Sequence, residues 1–180
     1  MTDPAITRLL ADQLGVDDVS ALLDHATVLE VAGGNVLCRD CEPLDSLYML
    51  LEGRLDMAVE VAGHGIHLGE ITPGNWIGEV TLFSTEDGAV STVVTRGPAR
   101  LLRLPYGEFM SLARAAPELA CRLAHTLNAM LIQRLRATVN DPILDADGQL
   151  LMLGKLSLPL PAHHEHHGVR DFMRKLMGVG

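Results

Sequence analysis

The stretch Pro73–Val94, PGNWIGEVTLFSTEDGAVSTVV, decides how this chain is read. It has the outline of the floor of an anion-binding pocket, yet it carries three acids, Glu79, Glu86 and Asp87, and no base. What such a pocket could hold depends on the fold around it.

Outward from this stretch, residues 27 to 104 run as short apolar or alternating segments. Turn residues separate them at Gly33-Gly34, Gly53, Gly63 to Gly65, Pro73-Gly74, Gly88 and Gly97-Pro98. Strands at that spacing predict an antiparallel barrel or sandwich. On the N-terminal side, Ile6, Leu9, Leu10 and Leu14 recur at helical spacing and Gly15 stops the run. Asp17 or Asp18 is placed to cap a second short helix through Leu22 and Leu23. After Pro105 the pattern is helical again, through Phe109 and Leu112 to Ala115 and then from Pro117 to about Val139. In that long helix Leu119, Leu123, Leu127, Met130, Leu131 and Leu135 form a wide apolar stripe, with Arg122, Gln133, Arg134 and Arg136 on polar positions. Such a helix must lie across the β-domain or pair with a second copy. Pro142 ends regular helix. The expected architecture is therefore mainly β, an antiparallel β-roll or jelly roll with short N-terminal helices and a long C-terminal helix. Residues 1–140 make the domain and 141–180 an extension.

The bulk properties set limits. A chain of 180 residues that is 48% apolar supports one well-buried core. Its apolar runs fall short of the ~20 residues of a membrane helix, and no basic-then-apolar leader opens it, so a cytoplasmic protein without membrane contact is expected. Fourteen Lys and Arg against 23 Asp and Glu give a formal charge of -9, which disfavours a polyanionic partner. Three cysteines favour reduced, buried or half-buried thiols over a disulfide framework.

The order of elements, with Arg39-Asp40-Cys41-Glu42-Pro43-Leu44-Asp45-Ser46-Leu47-Tyr48, Leu51-Glu52-Gly53-Arg54-Leu55 and Pro73-Gly74-Asn75-Trp76-Ile77-Gly78-Glu79, resembles the cyclic nucleotide-binding domain family. The resemblance covers roughly residues 8 to 140. It implies a pocket in which the turn at Gly78-Glu79 aims backbone amides at a cyclic phosphate, the glutamate takes the ribose 2′-hydroxyl, and an arginine ten residues later neutralises the phosphate. Arginine suits that task because its planar fork makes two charge-assisted bonds to one phosphate. Gly78 and Glu79 match, and Thr81 stands where a small residue is usual. Ala89 occupies the arginine position and Val90 a position where Ser or Thr is frequent, with Val80 and Ser91 beside them. Each missing charge-assisted contact forgoes about 1.5–3 kcal/mol while the desolvation of the phosphate remains. Ordinary binding of cAMP or cGMP is therefore not expected. A compensating arginine would have to come from Arg96, beside a turn, from Arg100 or Arg103 in a strand whose alternate side chains face solvent, or from Arg134, assigned to the polar side of its helix.

Transcription factors of this family place a winged helix-turn-helix after the long helix. Here Leu158-Pro159-Leu160-Pro161 interrupts helix, and Gly168–Gly180 carries a local charge of only +2 from Arg170, Arg174 and Lys175 against Asp171. No DNA contact is expected. His163, His164, His166 and His167 around Glu165 offer weak metal binding, imidazole and carboxylate suiting Zn, Ni or Cu. Val169, Phe172, Met173 and Leu176 recur at helical spacing, and Phe172, Met173 and Leu176 could anchor a partner or pack on the domain. Cys38 and Cys41 lack a second pair to complete a zinc site. His64 and His67 are read as exposed loop residues, and nothing suggests catalysis. The favoured reading is a stand-alone, non-enzymatic regulatory module with a degenerate pocket and no cofactor. It dimerises through the 117–139 helix and acts on an unidentified protein partner. The alternatives are a sensor of an atypical nucleotide or other small molecule, and a metal-binding role for the His-rich tail.

Overall fold

The computed structural model describes residues 3–61, 64–84 and 88–140. Helix α1 (Pro4–Leu14) starts where the Asp3 carboxylate accepts from Ala5 N at 2.9 Å and Pro4 presets the first turn. It stops at Gly15, whose φ of 63° lets its N–H return to Ala11 O. Helix α2 (Ser20–Asp24) is preceded by Asp18, which accepts from Ser20 N at 2.8 Å.

Among the described residues eight strands follow: β1 (Thr27–Val31), β2 (Val36–Cys38), β3 (Ser46–Glu52), β4 (Leu55–Val61), β5 (His64–Ile71), β6 (Trp76–Ile77), β7 (Thr92–Thr95) and β8 (Ala99–Pro105). They form two four-stranded sheets, in the orders β1-β8-β3-β6 and β2-β7-β4-β5, with every named pair antiparallel. The antiparallel roll expected from the turn spacing is present. His67 differs from expectation: it lies inside β5, opposite Ala58, because β4 and β5 continue pairing up to Val61 and His64. Its imidazole is 3.5 Å from Asp56 and remains exposed.

The first sheet is covered on both faces, and the two-residue side-chain period divides its residues between two cores. Leu47 and Met49 of β3 and Leu102 and Leu104 of β8 join the core made with the helices. Leu50 and Leu101 turn the other way, into the core between the sheets with Leu55, Ile71, Ile77 and Val93. The helical layer contains α1, α2, α4 (Tyr106–Ala115) and α5 (Pro117–Asn140). Trp76 ties this layer to β6: its indole N–H donates to Gln13 Oε1 at 2.9 Å, and Gln13 Nε2 donates to Gly74 O at 2.7 Å. The chain just ahead of Gly78 is thereby fixed from α1.

Helix α5 divides along its length. Leu119, Ala120, Leu123 and Leu127 are buried, whereas Ile132 and Leu135 are 43% and 44% exposed. The expected apolar stripe therefore leaves the core before Leu135. Among the described residues no helix is long and apolar enough to cross a membrane. His163, His164, His166, His167, Phe172, Met173 and Leu176 lie outside the described residues, as does the whole 141–180 extension.

Candidate functional site

The site is built around a turn that only glycine satisfies. Gly78 has φ 93°, and a Cβ there would stand 2.5 Å from Ser46 O and 3.2 Å from the Tyr106 hydroxyl. Tyr106 holds the turn by donating to Gly78 O at 2.8 Å. Burial raises its phenol further above the ordinary range, so it remains a neutral donor. The short helix α3 (Glu79–Phe83) follows directly, and Thr81 Oγ1 donates to Gly88 O at 3.2 Å to close the far end of the cassette.

The return limb is clamped by backbone. Cys41 N donates to Ala89 O at 2.7 Å and Ala89 N donates to Glu42 O at 2.8 Å. Cys41 adopts a left-handed φ of 63°, and a Cβ on Gly88 would approach its carbonyl to 3.1 Å. The position ten residues after Glu79 is thus fixed in place even though its side chain is a methyl group.

All seven residues singled out in the sequence, Gly78, Glu79, Val80, Thr81, Ala89, Val90 and Ser91, line one cavity. Leu44, Met57, Ile77 and Val93 give it apolar walls, and its volume is about 50 Å³. That is room for a water or two and far below the several hundred Å³ typical of a small-molecule pocket. Cys38 also lines it, and burial pushes its thiol up to about 11, which makes it an inert wall and not a nucleophile. Cys41 and Cys121 are exposed, contrary to the expectation of buried or half-buried thiols; Cys121 lies on the solvent side of α5 and Cys41 on an outward turn.

The residue that fills the site was misassigned from sequence. Arg134 does not point from the polar side of α5 into solvent: its guanidinium enters the cavity, donates to Glu79 Oε1 at 2.5 Å and, through its other terminal nitrogen, to the carbonyl of Trp76. Glu79 is only 3% exposed. Burial raises its carboxyl above the usual range, and the Arg134 charge pulls it part of the way back. The available signal was periodicity. Arg134 follows Leu127 by seven residues and Met130 by four, so it continues the buried face. The other arginines are engaged elsewhere: Arg96 with Asp56 and Glu70, Arg100 with Asp3 and Glu52, and Arg103 with Ser46 and Asp45.

The domain that carries this site resembles known proteins. The sequence model of the family described as "Cyclic nucleotide-binding domain" matches residues 28–116. Residues 28–116 belong to the cyclic nucleotide-binding domain family. Around this cyclic nucleotide-binding domain the chain is 34% identical over 90 residues to a cyclic nucleotide-gated potassium channel of Rhizobium etli, covering 50% of this chain and 24% of the channel. It is 28% identical over 115 residues to a lysophospholipase of Neurospora crassa, covering 63% of this chain and 7% of that enzyme. The chain thus spans less than a quarter of these relatives' length. Among solved structures, a cyclic nucleotide-binding domain from Methylobacillus flagellatus superposes with a TM-score of 0.68 at 16% identity, over 76% of this chain and 80% of that one. The c-di-GMP-responsive global regulator of Xanthomonas campestris superposes with a TM-score of 0.62 at 22% identity, over 68% and 60% of the two chains. At those identities the superpositions establish the fold.

Proposed function

We propose that this chain is a non-enzymatic regulatory module whose cyclic nucleotide-binding domain is occupied by its own helix and signals by protein contacts. One observation carries the reading: Arg134 of α5 sits on Glu79, the residue that by family resemblance would take the ribose hydroxyl, and about 50 Å³ of cavity remains. An entering cyclic nucleotide would have to break that ion pair and desolvate its phosphate against Ala89, which supplies no charge. The exposed Ile132 and Leu135 on the distal half of α5 support homodimerisation through this helix, because apolar side chains there gain burial only against a second surface.

A sensor reading also has support. The pair could be split by a ligand that offers a hydroxyl to Glu79 and an anion to Arg134, and the potassium channel and the c-di-GMP-responsive regulator are ligand-controlled by name. Titration calorimetry with cAMP and cGMP separates the two. The self-occupied module gives no saturable heat at micromolar nucleotide, and low-micromolar binding of either nucleotide would overturn it. Residues 141–180, with the His-rich run and Phe172, Met173 and Leu176, are proposed as a separate extension that contacts the partner. Deleting residues 168–180 without any change in partner recovery would remove that part.

A further inference from the structure

We propose that the pocket around Glu79 is a receptor for guanidinium-bearing ligands, with Arg134 as its built-in occupant. The inference rests on the self-occupied reading above and names the ligand class of the same site. Two acceptors of different kinds converge on one guanidinium, the Glu79 carboxylate at 2.5 Å and the Trp76 carbonyl, and each takes a different terminal nitrogen. A planar fork with several donors satisfies both at once, whereas an ammonium is a point charge with less directional reach.

The charge balance of the site favours a cation. Among the described residues, Glu79 and Arg134 are the charged side chains lining the cavity, so withdrawing Arg134 leaves a nearly fully buried carboxylate between apolar walls. An anion entering that space would face the carboxylate with no base at Ala89, while a guanidinium would restore the neutral pair. The remaining 50 Å³ is too little for a ligand to bind beside Arg134, so entry is by exchange.

Exchange is also mechanically accessible. Arg134 projects from the half of α5 where Ile132, Leu135 and Arg136 are exposed, and little buried packing opposes lifting this part of the helix. A ligand that replaces Arg134 therefore releases the distal half of α5, which carries the apolar residues proposed to pair with a second copy. Binding at the pocket and exposure of the helix become one equilibrium.

Chemical rescue tests this in the full chain. Thermal melts of the Arg134→Ala protein are recorded with ethylguanidinium chloride, with propylammonium chloride and with sodium chloride at equal concentration. The expected result is a saturable rise of about 2–4 °C in Tm with ethylguanidinium, a smaller one with propylammonium and none with sodium chloride. The wild type, whose site is filled, and the Glu79→Gln/Arg134→Ala double variant should show no saturable rise. Acetylarginine amide in a parallel arm separates sources: rescue by it points to an arginine side chain of a protein, and rescue by ethylguanidinium alone points to a free guanidino compound. If Arg134→Ala does not fold, Arg134→Met keeps the stem in place and is measured instead. Equal stabilisation by all three salts, or an equal response of the double variant, would overturn the proposal. Cyclic AMP is titrated into the same proteins: tight binding would overturn the self-occupied reading itself, whereas no rescue and no nucleotide binding would overturn only the ligand class.

Discussion

The two halves of α5 are continuous in backbone and opposite in role. The first half buries Leu119, Leu123 and Leu127 against α1, α4 and the outer face of the first sheet, and it is part of the core. The second half leaves Ile132 and Leu135 in solvent and reaches the domain through the half-buried Met130 and through Arg134, whose contact is polar and directed at a single turn. Burial without directionality fixes the first half, and a pair of charge-assisted bonds, with only half-buried apolar packing beside them, fixes the second. Only the second can be exchanged for another molecule making the same bonds.

The largest effect expected from breaking this contrast is in the first half. Leu123→Ala should lower stability by about 2–5 kcal/mol in urea unfolding, the range for a fully buried leucine. A loss under 1 kcal/mol would mean that the half is not core. Next is Arg134→Ala, expected to lower stability by about 1–3 kcal/mol: it leaves a buried carboxylate unpaired, though Arg134 itself is partly exposed and screened.

That loss has a pH signature. Burial sets the Glu79 carboxyl above its ordinary value in the folded domain, so the folded state holds this proton more tightly than the unfolded chain. Stability therefore falls as pH rises from the ordinary carboxylate range through the folded value. Arg134 pulls that value down, and removing it widens the interval over which stability is lost. The gap between wild type and Arg134→Ala should be small in acid, where Glu79 is neutral in both, and should grow toward neutral pH. A pH-independent gap would place the effect of Arg134 outside the Glu79 pair.

Smaller still is the effect of Ile132→Ser with Leu135→Ser on the monomer, expected within about 0.5 kcal/mol per site because both side chains are exposed. Sedimentation should instead show loss of the proposed dimer. An unchanged dimer would move the interface elsewhere. The smallest change is expected from Ala89→Arg alone. It restores the family's phosphate cation but leaves Arg134 on Glu79, so calorimetry should detect measurable cyclic nucleotide binding only when Ala89→Arg is combined with Arg134→Ala.

Much of this architecture was legible in the sequence because its determinants are local. Gly15 stops α1, and the turn residues at Gly53, Pro73-Gly74 and Gly97-Pro98 separate the strands of the roll. Gly78, Glu79, Thr81 and Ala89 were singled out through the family resemblance of one short cassette, and they line one cavity. The ion pair that fills the cavity was not legible, because Arg134 and Glu79 are 55 residues apart and their meeting depends on how α5 crosses the roll. Helical period placed Arg134 on the buried face, but residue type argued for solvent, and a buried carboxylate decided the matter. His67 was misread as loop for a similar reason: glycines at 63 and 65 suggested a wide turn, while β4 and β5 keep their pairing to His64.

The central claim is that Arg134 occupies the pocket in place of a nucleotide. Its most direct measurement is calorimetric titration of cAMP and cGMP into wild-type protein. The account predicts no saturable binding at micromolar nucleotide. A low-micromolar Kd for either nucleotide in the wild type would contradict it.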